Sequence, residues 1–244
     1  MNLPLVQWES FYSQSSSSFP RLGIPFQRAS QNVLQYSLRL EGLPKEVPIQ
    51  QNSKSIGGVV WDAGLVLSDF IVHYVHHERQ SLGRVLDLGT GTGISGMIAG
   101  LLGASFVVFN DLCLSDELSE NLKYLSTLIP SSHFQIELFD WLSVPPQVVE
   151  ALGHFDHVLC SDCIYDEKLH PGLLSLLEKL QFHTLIICFK RRFDTAERQF
   201  FEALSAFVQI HEFPVDSITS LHMDPKLLEG VHLFIGCKNS TYLH

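Results

Sequence analysis

The run Asp87-Leu88-Gly89-Thr90-Gly91-Thr92-Gly93, which directly follows Arg84-Val85-Leu86, constrains this chain more than any other stretch of it. A short apolar segment stops at closely spaced glycines, and a small, apolar segment, Ile94 to Leu102, begins after them. That order reads as strand, tight loop and closely packed helix. Glycines let the backbone turn sharply and let a ligand lie against the main chain, facing the positive end of the following helix.

The same alternation recurs from Gly57 onward. Trp61 to Val75 carries apolar residues at helical spacing, with Asp69 expected on the outward face. Phe106 to Phe109 reads as a strand ending at Asn110-Asp111, and Leu114, Leu118, Leu122 and Leu125 then mark an amphipathic helix. Strands are expected at Phe134 to Phe139, His157 to Cys160, His183 to Phe189 and Val231 to Cys237. Helices are expected around Leu169 to Leu180 and Thr195 to Phe207. Short apolar strands alternating with helices predict an α/β fold, a mostly parallel sheet with helices on both faces. The first 56 residues differ: a serine tract at Ser15 to Ser18, a strand at Tyr36 to Leu40, turn residues at Glu41 to Pro44, and a returning strand at Val47 to Ile49. The expected organisation is therefore a short N-terminal β extension over 1–56 and one main domain over 57–244.

Charge narrows the partners. Sixteen Lys and Arg against 26 Asp and Glu give a net charge of −10, which speaks against binding a nucleic-acid backbone, since that rests on clustered cations. Lys190-Arg191-Arg192 is the densest basic run, and three such residues read as a solvated loop. An acidic surface suits a basic partner such as a lysine-bearing protein segment. No basic segment followed by an apolar core opens the chain, and no apolar run approaches 18 residues. The expectation is a soluble protein, cytoplasmic or also nuclear, acting as a monomer without a membrane.

Five cysteines, an odd number, are scattered and mostly set in apolar runs. Cys160 and Cys163 have C-x-x-C spacing, but no second Cys/His pair follows. Among the histidines, His76-His77 and His154-x-x-His157 are the closest groupings, and neither repeats with a carboxylate at ligand spacing. No metal is expected.

The glycine loop points to a ribose-bearing cofactor. Asp111 lies 20 residues past Gly91 at the end of the next strand, where an acid can accept hydrogen bonds from ribose hydroxyls. Gly91 to Gly96 also satisfies the dinucleotide fingerprint G-x-G-x-x-G. Asp87 separates the candidates: a carboxylate before the first glycine repels a pyrophosphate but suits S-adenosylmethionine, which carries an ammonium and a sulfonium and no phosphate. A loop-capping carboxylate remains the plainer role for Asp87.

Four segments in order carry a resemblance: Gly58-Val59-Val60-Trp61-Asp62-Ala63, the glycine loop, Asp140-Trp141, and Ser161-Asp162-Cys163-Ile164-Tyr165. Together they resemble the seven-β-strand protein-lysine methyltransferases that bear a D-x-x-Y motif after the fourth strand. The match spans roughly residues 55 to 237, and the Val59-to-Ala63 and Asp162-to-Glu167 runs look most like the branch acting on valosin-containing protein, an AAA ATPase chaperone. The resemblance implies a Rossmann-like, seven-stranded sheet and S-adenosylmethionine as cofactor. It implies that Trp61 covers the methionine end, that Gly89, Thr90, Gly91 and Gly93 form the loop beneath, that Asp111 holds the ribose, that Trp141 stacks near the adenine, and that Ser161 lines the pocket. Asp162 and Tyr165 would face the incoming lysine. Asp87 stands where Glu is commoner, and Ser161 where Ala is usual.

A lysine has a pKa near 10.4, so neutralising it at pH 7 costs roughly 4 to 5 kcal/mol. A sulfonium about 4 Å away repels the ammonium by about 4 kcal/mol at an effective dielectric near 20. No dedicated base is then needed, and Asp162 and Tyr165 are expected to orient and desolvate the amine. Chaperones, AAA ATPases and elongation factors are the protein substrates the resemblance suggests, with choice among them placed in loops such as Arg191 to Thr195 and Val215 to Lys226. Three other readings stay open: a nicotinamide-dependent oxidoreductase, an inactive cofactor-binding scaffold, and a methyltransferase acting on a histidine, an N-terminal amine or a small molecule.

Overall fold

The structure is a computed structural model, and it describes residues 5–7, 35–38, 43, 46–52, 55–218 and 228–239. The serine tract at 15–18 and most of the expected loop over 215–226 lie outside these residues.

Seven strands form one sheet: β3 (Arg84–Leu88), β4 (Phe106–Asp111), β5 (Phe134–Leu138), β6 (His154–Ser161), β7 (Gln181–Lys190), β8 (Val208–Phe213) and β9 (Val231–Lys238). Their spatial order is β5-β4-β3-β6-β7-β9-β8. The first five are parallel, and β9 enters antiparallel between β7 and β8. The order reverses between β3 and β6, and the crevice at such a switch point is where open α/β sheets bind ligands.

Among the described residues, six helices cover the sheet: α1 (Asp62–His76), α2 (Ile94–Leu101), α3 (Asp116–Leu125), α4 (Pro146–Leu152), α5 (His170–Lys179) and α6 (Asp194–Leu204). Leu65 to Val72 of α1, Met97 and Ile98 of α2 and Leu118, Leu122 and Leu125 of α3 pack in one apolar layer. Val149 and Leu152 of α4, Leu173 and Leu177 of α5 and Phe200, Phe201 and Leu204 of α6 fill the other. Strand alternation feeds both layers: on β7, Leu185, Ile187 and Phe189 face the second while Ile186 and Cys188 face the first.

Local chemistry sets the helix starts. Ser115 Oγ accepts from Leu118 N at 3.0 Å at the head of α3, with Asp116 and Glu117 in its first turn, where carboxylates complement the helix dipole. Helix α2 lies close against the sheet because it carries Gly96: a Cβ there would come within 2.4 Å of the Phe109 ring. Two elements escaped the sequence reading. Helix α4 is short and opens with Pro146, and β8 is a short strand with Val208, Ile210 and Phe213 buried and Gln209 exposed. Asp69 also departs from expectation. It is 4% exposed rather than outward, because α1 is buried almost all round from Asp62 to His73.

The N-terminal strands β1 (Gln35–Leu38) and β2 (Val47–Gln50) pair antiparallel as a small separate sheet. Val47 and Ile49 are buried in the same layer as α1 to α3. Asn121 of α3 clasps β2: its side chain accepts from Gln50 N at 2.6 Å and donates to Gln50 O at 3.1 Å and Thr92 O at 2.7 Å. Leu5 bridges His211, and Val6 N donates to Ile210 O at 3.1 Å, so residues 5–7 run beside edge strand β8.

Candidate active site

Gly89, Gly91 and Gly93 all have positive φ, at 61°, 55° and 83°, a region that L side chains enter at a cost. Space requires glycine too. A Cβ on Gly89 would stand 3.0 Å from the Trp141 ring, and one on Gly91 would stand 3.1 Å from Gly57 O. The loop is tied down by Thr90 N to Asn110 O at 2.9 Å, Gly93 N to Thr90 O at 2.7 Å, and Gly91 N to Asp111 Oδ2 at 2.8 Å.

Above this loop, at the carboxyl ends of β3, β4 and β6, lies a cavity of about 520 Å³, within the usual range of about 300–1,000 Å³ for small-molecule sites. Of the residues expected to bind the cofactor, Trp61, Gly89, Gly91, Asp111, Trp141 and Ser161 line it. Asp162 and Tyr165 line the same cavity. Trp61 sits at the head of α1 with its indole N–H donating to Ile56 O at 3.0 Å. Trp141 donates to Asn110 Oδ1 at 2.8 Å, which lays its ring along Gly89. Gly64 lets α1 approach the site closely, since a Cβ there would meet Ser161 Oγ at 3.2 Å.

Asp87, Thr90 and Gly93 are not among the lining residues. Asp87 is 1% exposed and lies beneath the loop, its Oδ2 accepting from Thr90 Oγ1 at 2.5 Å and Gly96 N at 3.0 Å. Burial pushes its carboxyl up to about 7 against the lowering effect of those two hydrogen bonds. The expected direct contact with a cationic ligand is therefore corrected to the plainer alternative: Asp87 shapes the loop from below. Gly93 serves the turn into α2, with Leu118 against it.

The larger surprise is Arg192. Its Nη1 donates to Asp162 Oδ1 and its Nη2 to Asp162 Oδ2, each at 2.7 Å. The guanidinium also donates to Lys190 O at 3.0 Å and lies 5.6 Å from the Trp61 ring. Lys190 N adds a third donor to Asp162 Oδ1 at 3.2 Å. Asp162 has a φ of 55°, and backbone strain of this kind concentrates where a side chain must be held in one direction. Arg191 is 5% exposed and bonded to Asp194 Oδ1 at 2.8 Å. The basic run is thus a built part of the site and not a solvated loop. Glu197 of α6 holds it in place, accepting from Arg192 N at 2.7 Å and Phe193 N at 2.9 Å. No spacing in the sequence points to Arg192; a basic residue just past the end of β7, at the same sheet end as the glycine loop, was the available signal.

Tyr165 is half-exposed at the cavity mouth. Burial first, then the negative surroundings that include Asp111, Asp166 and Asp162, raise its phenol above the ordinary value, so it stays a protonated donor. Cys163 also lines the cavity but is buried, and its thiol is raised well above normal by its hydrogen bond with Cys160 and by desolvation, which leaves it a poor nucleophile.

These residues fit S-adenosylmethionine. The missing Cβ atoms of Gly89 and Gly91 leave the main chain open, two indoles bound the space, and Asp111 offers a carboxylate at the end of β4. A family model described as lysine methyltransferase matches residues 44–207. The chain is 27% identical over 180 residues to protein N-lysine methyltransferase METTL21A of Xenopus tropicalis, covering 72% of this chain and 81% of that one. It is 29% identical over 168 residues to EEF1A lysine methyltransferase 3 of Mus musculus, covering 65% and 68%. In fold it is similar to magnesium protoporphyrin IX methyltransferase of Synechocystis PCC 6803 with bound S-adenosylmethionine, with a TM-score of 0.51 at 15% identity over 73% of this chain and 80% of that one. The chain belongs to the lysine methyltransferase family and is an S-adenosylmethionine-dependent protein-lysine N-methyltransferase.

Proposed function

We propose that this enzyme methylates a lysine on a cytoplasmic protein of the translation or chaperone machinery, acting as a monomer, and that the amine reaches the cavity past Tyr165 and the Asp162–Arg192 pair. The relative named for EEF1A supports an elongation factor as the first substrate to test. The net charge of −10 supports a basic segment around the acceptor lysine.

Trp61, Gly89, Gly91, Asp111 and Trp141 would hold the cofactor, which supplies a methyl group on a positively charged sulfur. The chain's own part is to bring in an uncharged amine, and the Asp162–Arg192 pair carries this reading. A lone buried carboxylate beside the acceptor would favour the ammonium and raise the lysine pKa. Arg192 cancels that charge through two parallel hydrogen bonds, while Asp162 keeps lone pairs that can orient an amine N–H. The Tyr165 hydroxyl, protonated, can accept from or donate to the same nitrogen. Walls made of Trp61, Phe139 and Leu169 keep the site poor in water, which makes these interactions stronger than in bulk solvent.

The test is incubation of the pure protein with cell extract and methyl-labelled S-adenosylmethionine, with the labelled residue mapped by mass spectrometry. Label on one lysine, lost with Asp162→Ala, supports the reading. Label on histidine or on a small molecule would overturn the acceptor, and full labelling by an Asp162→Ala protein that binds cofactor normally would overturn the role of Asp162.

A further inference from the structure

At the end of the sheet opposite the cavity, three potential ligands converge that the sequence keeps apart. His154 and Asp156 lie at the start of β6, and His183 lies at the start of β7. Phe155 pairs with Phe182 and His157 with Thr184, which sets Asp156 beside His183. One ligand atom from each of His154, Asp156 and His183 lies within 4.8 Å of the others. The two imidazole rings are 4.3 Å apart at 64°.

We propose that His154, Asp156 and His183 form a binding site for a divalent transition-metal ion, zinc in the first instance. Two imidazoles and one carboxylate are a donor set that suits zinc and disfavours magnesium or calcium, which take oxygen ligands.

The carboxylate is prepared for this. Its Oδ2 accepts from Arg84 N at 2.7 Å, the kind of outer hydrogen bond that orients a metal ligand. Gly83, at φ 54°, makes room for it: a Cβ on Gly83 would fall 2.1 Å from that oxygen. The Arg84 guanidinium is directed elsewhere, over the Phe106 and Phe155 rings and onto Leu152 O at 3.2 Å. Among the described residues, no lysine or arginine forms an ion pair with Asp156, so its charge is available to a cation. Zinc bonds of about 2.0–2.1 Å place tetrahedral ligand atoms roughly 3.4 Å apart. His154 and His183 are exposed, so rotation of their side chains can close the remaining gap. The fourth position opens to solvent and would take water. Such an ion would clasp the first residues of β6 and β7, about 20 Å along the strands from the cavity, and would not touch the cofactor.

The experiment is calorimetric titration of zinc chloride into the full chain, beside His154→Gln, His183→Gln and, as a control, His76→Gln. Saturable binding of one ion is expected, weakened at least tenfold by either of the first two substitutions and unchanged by the third. Cobalt added to the wild-type protein should give a four-coordinate absorption spectrum without the thiolate charge-transfer band that exposed Cys113 or Cys237 would add. S-adenosylmethionine binding should stay the same in all variants, which separates this site from the methyltransferase reading. No saturable zinc binding, binding by His154→Gln or His183→Gln as tight as by the wild-type protein, or a thiolate band would overturn the proposal.

Discussion

Arg192 and Asp162 stand 30 residues apart in the chain and meet as a two-pronged ion pair, both contacts at 2.7 Å, in the wall of the cofactor cavity. The side chains are 10% and 6% exposed, so neither charge can fall back on water. In a pair so enclosed, each partner fixes the charge and direction of the other.

Removing one partner should therefore do more harm than removing both. Arg192→Gln is expected to destabilise the fold by about 3–5 kcal/mol, as for other broken buried pairs, while the double variant Arg192→Gln/Asp162→Asn should recover much of that loss in denaturant titrations. In methylation assays, Arg192→Gln should also move the rising limb of the rate profile to higher pH, because the unpaired carboxylate holds the lysine as ammonium. An unshifted profile would deny the charge-cancelling role. Arg192→Lys should rescue only in part, since an ammonium cannot reproduce the two-pronged geometry.

Gly89→Ala should weaken S-adenosylmethionine binding by more than tenfold in calorimetry. The new methyl group meets the Trp141 ring at 3.0 Å, and the positive φ adds about 1–2 kcal/mol of backbone cost. Gly103→Ala is the matched comparison, because that glycine also has positive φ but has nothing within 4 Å of its Cβ position. It should lose stability and keep cofactor affinity.

Stability should depend on pH through Asp69. Burial raises its carboxyl from 3.8 to about 7, and its Oδ1 has no hydrogen-bond partner. The folded chain then holds a proton that the unfolded chain releases between about pH 4 and 7. This contribution is complete below pH 4 and is lost as pH rises through 7. Asp69→Asn should flatten the dependence in that window and leave the protein more stable at pH 8, by on the order of 2–4 kcal/mol. Asp87 titrates in the same window for the same reason, so part of the slope will survive. A variant no more stable than wild type at pH 8 would refute the assignment.

Asn121→Ala should loosen the link between the N-terminal strands and the glycine loop. It removes three hydrogen bonds, to Gln50 N, Gln50 O and Thr92 O, from a residue 1% exposed. A loss of about 2–4 kcal/mol is expected, because buried partners are left unsatisfied. Hydrogen exchange should speed up at Gln50 and around Thr92 together.

The alternation of strands and helices, the strand–glycine loop–helix unit, and the position of Asp111 at the end of β4 are legible in the residues alone. These are local properties: periodicity reports which face of an element is buried, and a run of glycines reports where the backbone must turn. The four segments that carried the family resemblance likewise brought Trp61, Trp141, Ser161, Asp162 and Tyr165 to one cavity. Which side chain each of them meets depends on how the elements pack. Lys190-Arg191-Arg192 read as a solvated run until the end of β7 was set beside the end of β6, where Arg192 faces Asp162. Asp87 read as a ligand contact until α2 closed over it and Gly96 N took its Oδ2. His154 has His157 as its near neighbour in sequence, whereas the pairing of β6 with β7, which sets Asp156 beside His183, brings the His154 and His183 rings to 4.3 Å. In each case the deciding contact crosses between strands or from strand to helix, and a one-dimensional pattern states the face of a residue without naming its partner across that gap.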